Sequence, residues 1–269
     1  MKIAFIGDIV GKPGRDMIKN HVKNLKKEFD VDFVIANGEN VSHGFGLTIK
    51  NADEILHSGI DFITGGNHIF DKSEIMQVMD KLPIVRPLNY SDEVAGDGCR
   101  IIEIGNEKLV IINLMGYYCM PICDNPFTKV KKKIDELESE GVKNIFIDFH
   151  AETTAEKRTL LALLRGRVSA ICGTHTHIGT DDLVIESNTF YVTDLGLTGC
   201  MNEVIGMKEN ASLIRSLEHT HKSFDIPKQC PKIFQTVVMD IQEGKCLDAF
   251  KVKAYDSSKL EVSQKAIRL

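Results

Sequence analysis

The stretch "IAFIGDIVGKPGR", residues 3–15, sets the fold. Ile3 to Ile6 are apolar without a break, and Gly7 and Asp8 end the run. Such a run, closed by glycine, reads as a strand covered on both faces rather than one alternating between core and water. The glycines and Lys12 that follow suggest a phosphate loop. A phosphate loop needs G-x-x-x-x-G-K-[ST], so that backbone N–H groups and a hydroxyl reach phosphate and magnesium. Here Gly7 and Gly11 are one residue too close, and Pro13 stands where the hydroxyl belongs. Gly11, Pro13 and Gly14 are therefore read as a turn, with a helix starting near Arg15. Asp8 remains, at the carboxyl end of a buried strand, the edge where open α/β sheets bind ligands.

The same strand type recurs along the chain. "DFVIANG" precedes a helical pattern over 48–58, and "DFITGG" precedes one over 72–81. "KLVIINL", a charged helix near 128–141, "NIFIDF", a helix near 154–165 and "VSAICG" follow. Apolar strands alternating with helices give the α/β class. From about residue 180, strand signals dominate: "LVIES", "TFYVTD", "ASLIRSL", "FQTVVMDI" and "CLDAFKVKAY". No linker, repeat or low-complexity tract divides the chain, so residues 1–269 are read as a single domain. Residues 196–211 are the most loop-like stretch and are read as a flap or cap.

Composition bounds the function. The chain has 269 residues, 43% of them hydrophobic, enough for a sizeable core. No apolar run approaches the roughly 20 residues of a membrane span. "MKIAFIG" is too short for a signal peptide. A soluble, cytoplasmic protein without a membrane role is expected. Net charge is −5, which argues against a general nucleic-acid coat. The basic run Lys129–Lys133 is followed by acidic residues and reads as a solvated helix face. Seven cysteines, an odd number, speak against a disulfide framework. Cys172 falls in an apolar run and is read as core, and none of the seven is given a role.

The other strand ends decide what Asp8 does. The second strand leads to Glu39 and Asn40, and the third to Asn67 and His68. "NIFIDFH" delivers His150, and "GTHTH" delivers His175 and His177. Any one of these alone has an ordinary reading as a cap, a turn residue or a surface histidine. Together, five strand ends each bring a carboxylate, amide or imidazole to one edge. Mixed oxygen and nitrogen donors suit manganese, iron or zinc better than magnesium or calcium. The set Asp8, Glu39, Asn40, Asn67, His150, His175 and His177 is too large for one tetrahedral ion and about right for two sharing a carboxylate.

The ordered blocks "GD", "GE", "GNH", a later lone histidine and "GTHTH" resemble the calcineurin-like metallophosphoesterases. More closely, "MKIAFIGDIVGKPGR", "NGENVSHGFGLT", "GGNHIFDK", "DFHAETTAEK", "GTHTHIGTDD" and "YVTDLGLTG" resemble the bacterial YmdB-like metallophosphoesterase/phosphodiesterase family. The likeness spans about residues 1–200 and continues more diffusely beyond. It implies a layered α/β/β/α sandwich of two mixed sheets flanked by helices. It also implies one metal on Asp8, Glu39, Asn40 and His177, and a second on Glu39, Asn67, His150 and His175. The wider superfamily opens with D-x-H, and here Ile9 and Val10 follow Asp8, so that histidine is missing. The YmdB-like group shares the gap and is expected to use Asn40 instead, with Glu39 where the superfamily bridges with aspartate.

The chemistry agrees. Two ions roughly 3.5–4 Å apart clamp phosphate oxygens and acidify water for attack. The departing alkoxide needs a proton, and His68, beside Asn67, is the expected catalytic donor; its alternative role is to fix Asn67. The leading expectation is a dinuclear phosphodiesterase, with iron and/or manganese, acting on small 2′,3′-cyclic nucleotides and more weakly on 3′,5′-cyclic AMP. The alternatives are a phosphomonoesterase or RNA-processing nuclease on the same site, or a regulatory protein sensing a nucleotide or metal. A homo-oligomer with no stable nucleic-acid complex is expected. His43 could line the site or simply shape its loop. Asp148 could orient His150, and Asp194 some other ligand. His219 and His221 are read as surface residues.

Overall fold

A computed structural model describes all residues, Met1–Leu269. In chain order its amino-terminal part holds β1 (Lys2–Ile6), α1 (Gly11–Phe29), β2 (Phe33–Asn37), α2 (Ile49–His57), β3 (Phe62–Thr64) and β4 (Ile84–Val85). Next come β5 (Cys99–Ile104), β6 (Glu107–Met115), α3 (Pro126–Ser139), β7 (Asn144–His150), α4 (Thr154–Leu164) and β8 (Ala170–Thr174). The remainder is β9 (Val184–Glu186), β10 (Thr189–Val192), β11 (Gly199–Cys200), α5 (Glu209–Glu218), β12 (Lys232–Gln242), β13 (Lys245–Tyr255), β14 (Glu261–Lys265) and β15 (Ile267–Arg268).

The strands form two mixed sheets. One runs β14-β13-β12-β1-β2-β3-β4, with β11 also paired to β12. The other runs β15-β9-β10-β8-β7-β6-β5. In the first, β1 to β4 are parallel and β12 runs antiparallel to β1. In the second, β6, β7, β8 and β10 are parallel.

Strand periodicity sorts the apolar residues into three layers. Ile3 and Phe5 point between the sheets with Phe62, Ile111, Phe146 and Cys172; the Phe5 and Phe146 ring centroids are 4.9 Å apart. Ala4 and Ile6 face the other way, against Met17, Val22 and Leu25 of α1 and Ile55 of α2. On the far side, Ile112 and Ile147 meet Val130 and Ile134 of α3 and Leu160 and Leu164 of α4. This is the α/β/β/α layering that the resemblance implied. It explains why the central strands are apolar on both faces.

Several local expectations are corrected. Helix α1 begins at Gly11, not near Arg15. Pro13 fits its first turn, where no intrahelical donor is lost. The pattern over 72–81 makes only a 3₁₀ turn at Ser73–Gln77, and past that turn Arg100 takes the carbonyls of Met79 and Leu82. "ASLIRSL" is no strand but lies in α5: it has no strand partner, and Ala211, Ile214 and Arg215 recur at helical spacing on its less exposed side. Cys200 and Cys230 are joined by a disulfide, although the cysteine count argued against any framework. Thirty residues apart in sequence, they are brought together at the foot of β12, where Cys200 pairs with Lys232. The other five cysteines are free, and Cys172 is buried as expected. No helix is long and apolar enough to cross a membrane.

Candidate metal centre

The carboxyl ends of β1, β2, β3, β7 and β8 meet at one edge and carry the eight residues singled out in the sequence. The backbone pins each turn. Ile9 N donates to Asn37 O, Thr198 N to Asp8 O, and Gly38 N to Thr64 O. Gly11 N donates to Asn40 O, so an N–H of the supposed phosphate loop is already in use. Lys12 is exposed and pairs with Asp16.

Four of the side chains converge on a point. His150 Nε2 lies 3.1 Å from Glu39 Oε1, 3.0 Å from Asn67 Oδ1 and 3.0 Å from His175 Nδ1. One ring nitrogen cannot satisfy three neighbours, and Glu39, His150 and His175 are spaced to hold an ion. Gly66 is required at this place: a Cβ there would overlap Glu39 Oε2 and His150 Nε2. Beside it, Asp8 Oδ1 lies 3.9 Å from His150 Nδ1 and 3.8 Å from His177 Nε2. Asp8 Oδ1 and Asn40 Oδ1 are buried with no hydrogen-bond partner. Buried oxygens are rarely left this way unless something outside the chain satisfies them. These donors fit metal ions.

Each histidine offers one nitrogen to the cluster and has the other tied down, as metal-binding histidines do. His150 Nδ1 meets Thr174 Oγ1 at 2.9 Å, and that hydroxyl donates to Asp148 Oδ1 at 2.7 Å. Asp148 therefore orients His150 through Thr174, and is itself held by Asn37 and Thr64. His175 Nε2 lies 3.1 Å from Glu152. His177 Nδ1 lies 2.8 Å from Ile205 O. His175 and His177 adopt φ of 93° and 65°, a strained region for side-chain-bearing residues. Asp194 holds their loop: its Oδ2 accepts from Thr176 N and Oγ1 and from the buried Lys157, and its Oδ1 from Gly196 N.

Charge in the cluster asks for a cation. Burial raises the Asp8 carboxyl, against the opposing pull of His177 and His150. Burial would raise Glu39 too, but the charge and hydrogen bond of His150 outweigh it and hold Glu39 at about 2. His150 in turn is held at about 9, because Glu39 and Asp8 overcome its own burial. Burial, then the neighbouring His150, pushes His175 down to about 3. A proton on His150 thus stands in for positive charge that the carboxylates require.

His68 borders the same cavity, its backbone N–H donating to Glu39 Oε2 at 2.9 Å and its ring Nδ1 2.8 Å from Asp71 Oδ2. His43 is exposed and opens instead onto a neighbouring recess with Lys12, Arg15 and Lys228. His219 and His221 are exposed. Sequence reading missed Asp71, Glu152 and Thr174, which touch the site only through a histidine. It also missed Phe45, Ile205, Met207, Arg215 and Phe224, which wall the cavity. Of these, Ile205 and Met207 do fall inside the stretch 196–211 expected to form a flap.

The profile of the YmdB-like protein family matches residues 4–252. A 2′,3′-cyclic-nucleotide 2′-phosphodiesterase of Bacillus subtilis (strain 168) is 44% identical over 220 residues, covering 80% of this chain and 82% of that protein. The crystal structure of a novel phosphatase from Mycoplasma pneumoniae superposes with a TM-score of 0.89 at 32% identity, over 95% of this chain and 93% of that one. A hypothetical protein from Thermus thermophilus superposes equally well, with a TM-score of 0.89 at 32% identity over 95% of this chain and 99% of that one.

Proposed function

This chain belongs to the YmdB-like family, and from that premise we propose that it opens 2′,3′-cyclic nucleotides at the 2′ oxygen. It is a hydrolase of phosphoric esters and a metallophosphoesterase. The observation that carries the reading is the convergence of Glu39, Asn67 and His175 on His150 Nε2, with His68 beside them.

Asp8, Glu39, Asn40 and His177 would hold one ion, and Glu39, Asn67, His150 and His175 the other. The donor set suits iron or manganese. Bound there, the pair supplies electrophilic stabilisation of the phosphate and water acidified for attack. The chain does the rest. Thr174, Glu152 and the Ile205 carbonyl fix the three imidazoles, so the donors are in place before substrate arrives. His68, steadied at Nδ1 by Asp71, passes a proton from Nε2 to the 2′ oxygen as the P–O2′ bond breaks. The product is a nucleoside 3′-phosphate. We further propose a cytoplasmic homo-oligomer that acts on free small nucleotides; the net charge of −5 supports the last point alone, since it disfavours long nucleic acid as substrate.

The first experiment follows hydrolysis of 2′,3′-cyclic AMP by purified protein with manganese, beside Glu39→Gln, with metal content measured on both. Turnover by the wild type, and loss of both turnover and metal in the variant, is expected. Full metal content in Glu39→Gln would remove Glu39 from its bridging place. Turnover of monoesters alone would replace the diesterase with a phosphatase.

A further inference from the structure

The cavity over the metal ligands encloses about 390 Å³, a size that suits one nucleotide. Its floor is polar and anionic, but its roof has another chemistry. Phe45 comes from the β2–α2 connection. Ile205, Met207, Arg215 and Phe224 all come from the excursion between Cys200 and Cys230.

Arg215 is the one cation of the roof. Its Cζ stands 4.1 Å over the centre of the Phe224 ring, well inside cation–π range. That contact holds the guanidinium against the Phe224 ring. The only acid lining the cavity, Glu39, belongs to the floor and is engaged with His150. Arg215 Nε is buried and has no hydrogen-bond partner. A buried donor left unpaired is unfavourable and uncommon. Such a donor, beside a catalytic cavity, points to a ligand that brings the acceptor.

The reactive phosphate is already served by the floor. What remains of a nucleotide is a flat aromatic base with polar atoms on its edge. An aromatic wall (Phe224, with the Phe45 ring centroid 6.1 Å away) and a donor-only fork match that half. We propose that Arg215 and Phe224 form the base-binding subsite, where Arg215 donates to an edge carrying two adjacent acceptors. Guanine presents O6 and N7 in this way, whereas adenine sets a donor beside its N7. Guanine is therefore the favoured base, and Arg215 is a specificity residue rather than a catalytic one. The inference rests on the phosphodiesterase reading above.

The test measures kcat and KM of the wild type, Arg215→Ala and Arg215→Lys on 2′,3′-cyclic GMP, 2′,3′-cyclic AMP and the base-free glycerol 1,2-cyclic phosphate. The wild type should prefer the guanine substrate. Arg215→Ala should raise its KM roughly 10- to 100-fold, the span of one bidentate contact, with kcat nearly unchanged and the base-free diester unaffected. Arg215→Lys keeps the charge but loses the fork, so the guanine preference should collapse in it too; it carries the test if the alanine variant misfolds. Equal losses on all three substrates would assign Arg215 to the phosphate and overturn the proposal, as would no change on any. A wild type inert on all three would instead defeat the phosphodiesterase reading itself.

Discussion

Asp71 and His68 are three residues apart, and the carboxylate meets Nδ1 at 2.8 Å. The ring is thereby turned so that Nε2 is the nitrogen left for a departing oxygen. His68→Ala should lower kcat on 2′,3′-cyclic nucleotides by roughly 10²- to 10⁴-fold with metal content intact. On a diester with a 4-nitrophenol leaving group, which departs without a proton, the same variant should lose far less. Equal losses on the two substrates would make His68 a structural neighbour of Asn67 and not a proton donor. Asp71→Asn should fall between wild type and His68→Ala. The ligand candidates were legible because each stands directly after a buried strand, and the sheet gathers those ends without help from any other signal. Asp71, Glu152 and Thr174 carry no such mark. Asp71 sits three residues past His68 in a loop with no periodicity to mark it, while Glu152 and Thr174 act on histidines more than twenty residues away, and nothing in local pattern reports a hydrogen bond from β8 to β7.

At the scale of elements, the central strands and four of the helices follow from periodicity, and two segments depart from it. The 72–81 segment has a helical pattern but closes only the Ser73–Gln77 turn, and Arg100 of β5 holds the chain after it through the carbonyls of Met79 and Leu82. The β-like "ASLIRSL" lies where no sheet edge is offered to it, and becomes α5. The excursion bearing α5 is tied at its base by Cys200–Cys230, and it supplies most of the roof. Closing a loop of 30 residues should contribute roughly 3–4 kcal/mol through the unfolded chain. Titration of the denatured, unreduced protein should therefore find five thiols, and seven after reduction. Reduction should lower the melting temperature by several degrees and raise KM through a looser roof. Seven thiols without reductant would mean that the pair does not form in the purified protein.

Across the whole molecule, two sheets share one interior, and a charge has been placed inside it. Lys251 in β13 is 2% exposed and lies on the same side of its strand as Ala249, which packs between the sheets. Burial, reinforced by Lys253, pulls its pKa from 10.5 to about 8, while Asp194, Asp182 and Asp181 pull weakly the other way. A depressed folded pKa means that the unfolded chain binds the proton more tightly. The folded state therefore carries a penalty at every pH below about 8. That penalty fades between about 8 and 10.5, where stability rises with pH on this account. At about 1.4 kcal/mol per pH unit, the cost is on the order of 3 kcal/mol at pH 7 and roughly 1 kcal/mol at pH 9.5. Lys251→Met keeps the length of the side chain and removes the charge. It should melt higher than the wild type at pH 7, by several degrees, with the gap shrinking by more than half at pH 9.5. A gap that stays constant across this range would show that packing, not charge, sets the difference, and a variant less stable at pH 7 would show that the ammonium is paired after all. No strand pattern could have announced this residue. "CLDAFKVKAY" reads only as a strand, with Lys251 and Lys253 two apart on one side of it, and only the packed molecule, which buries Lys251 and leaves Lys253 partly open, separates the two.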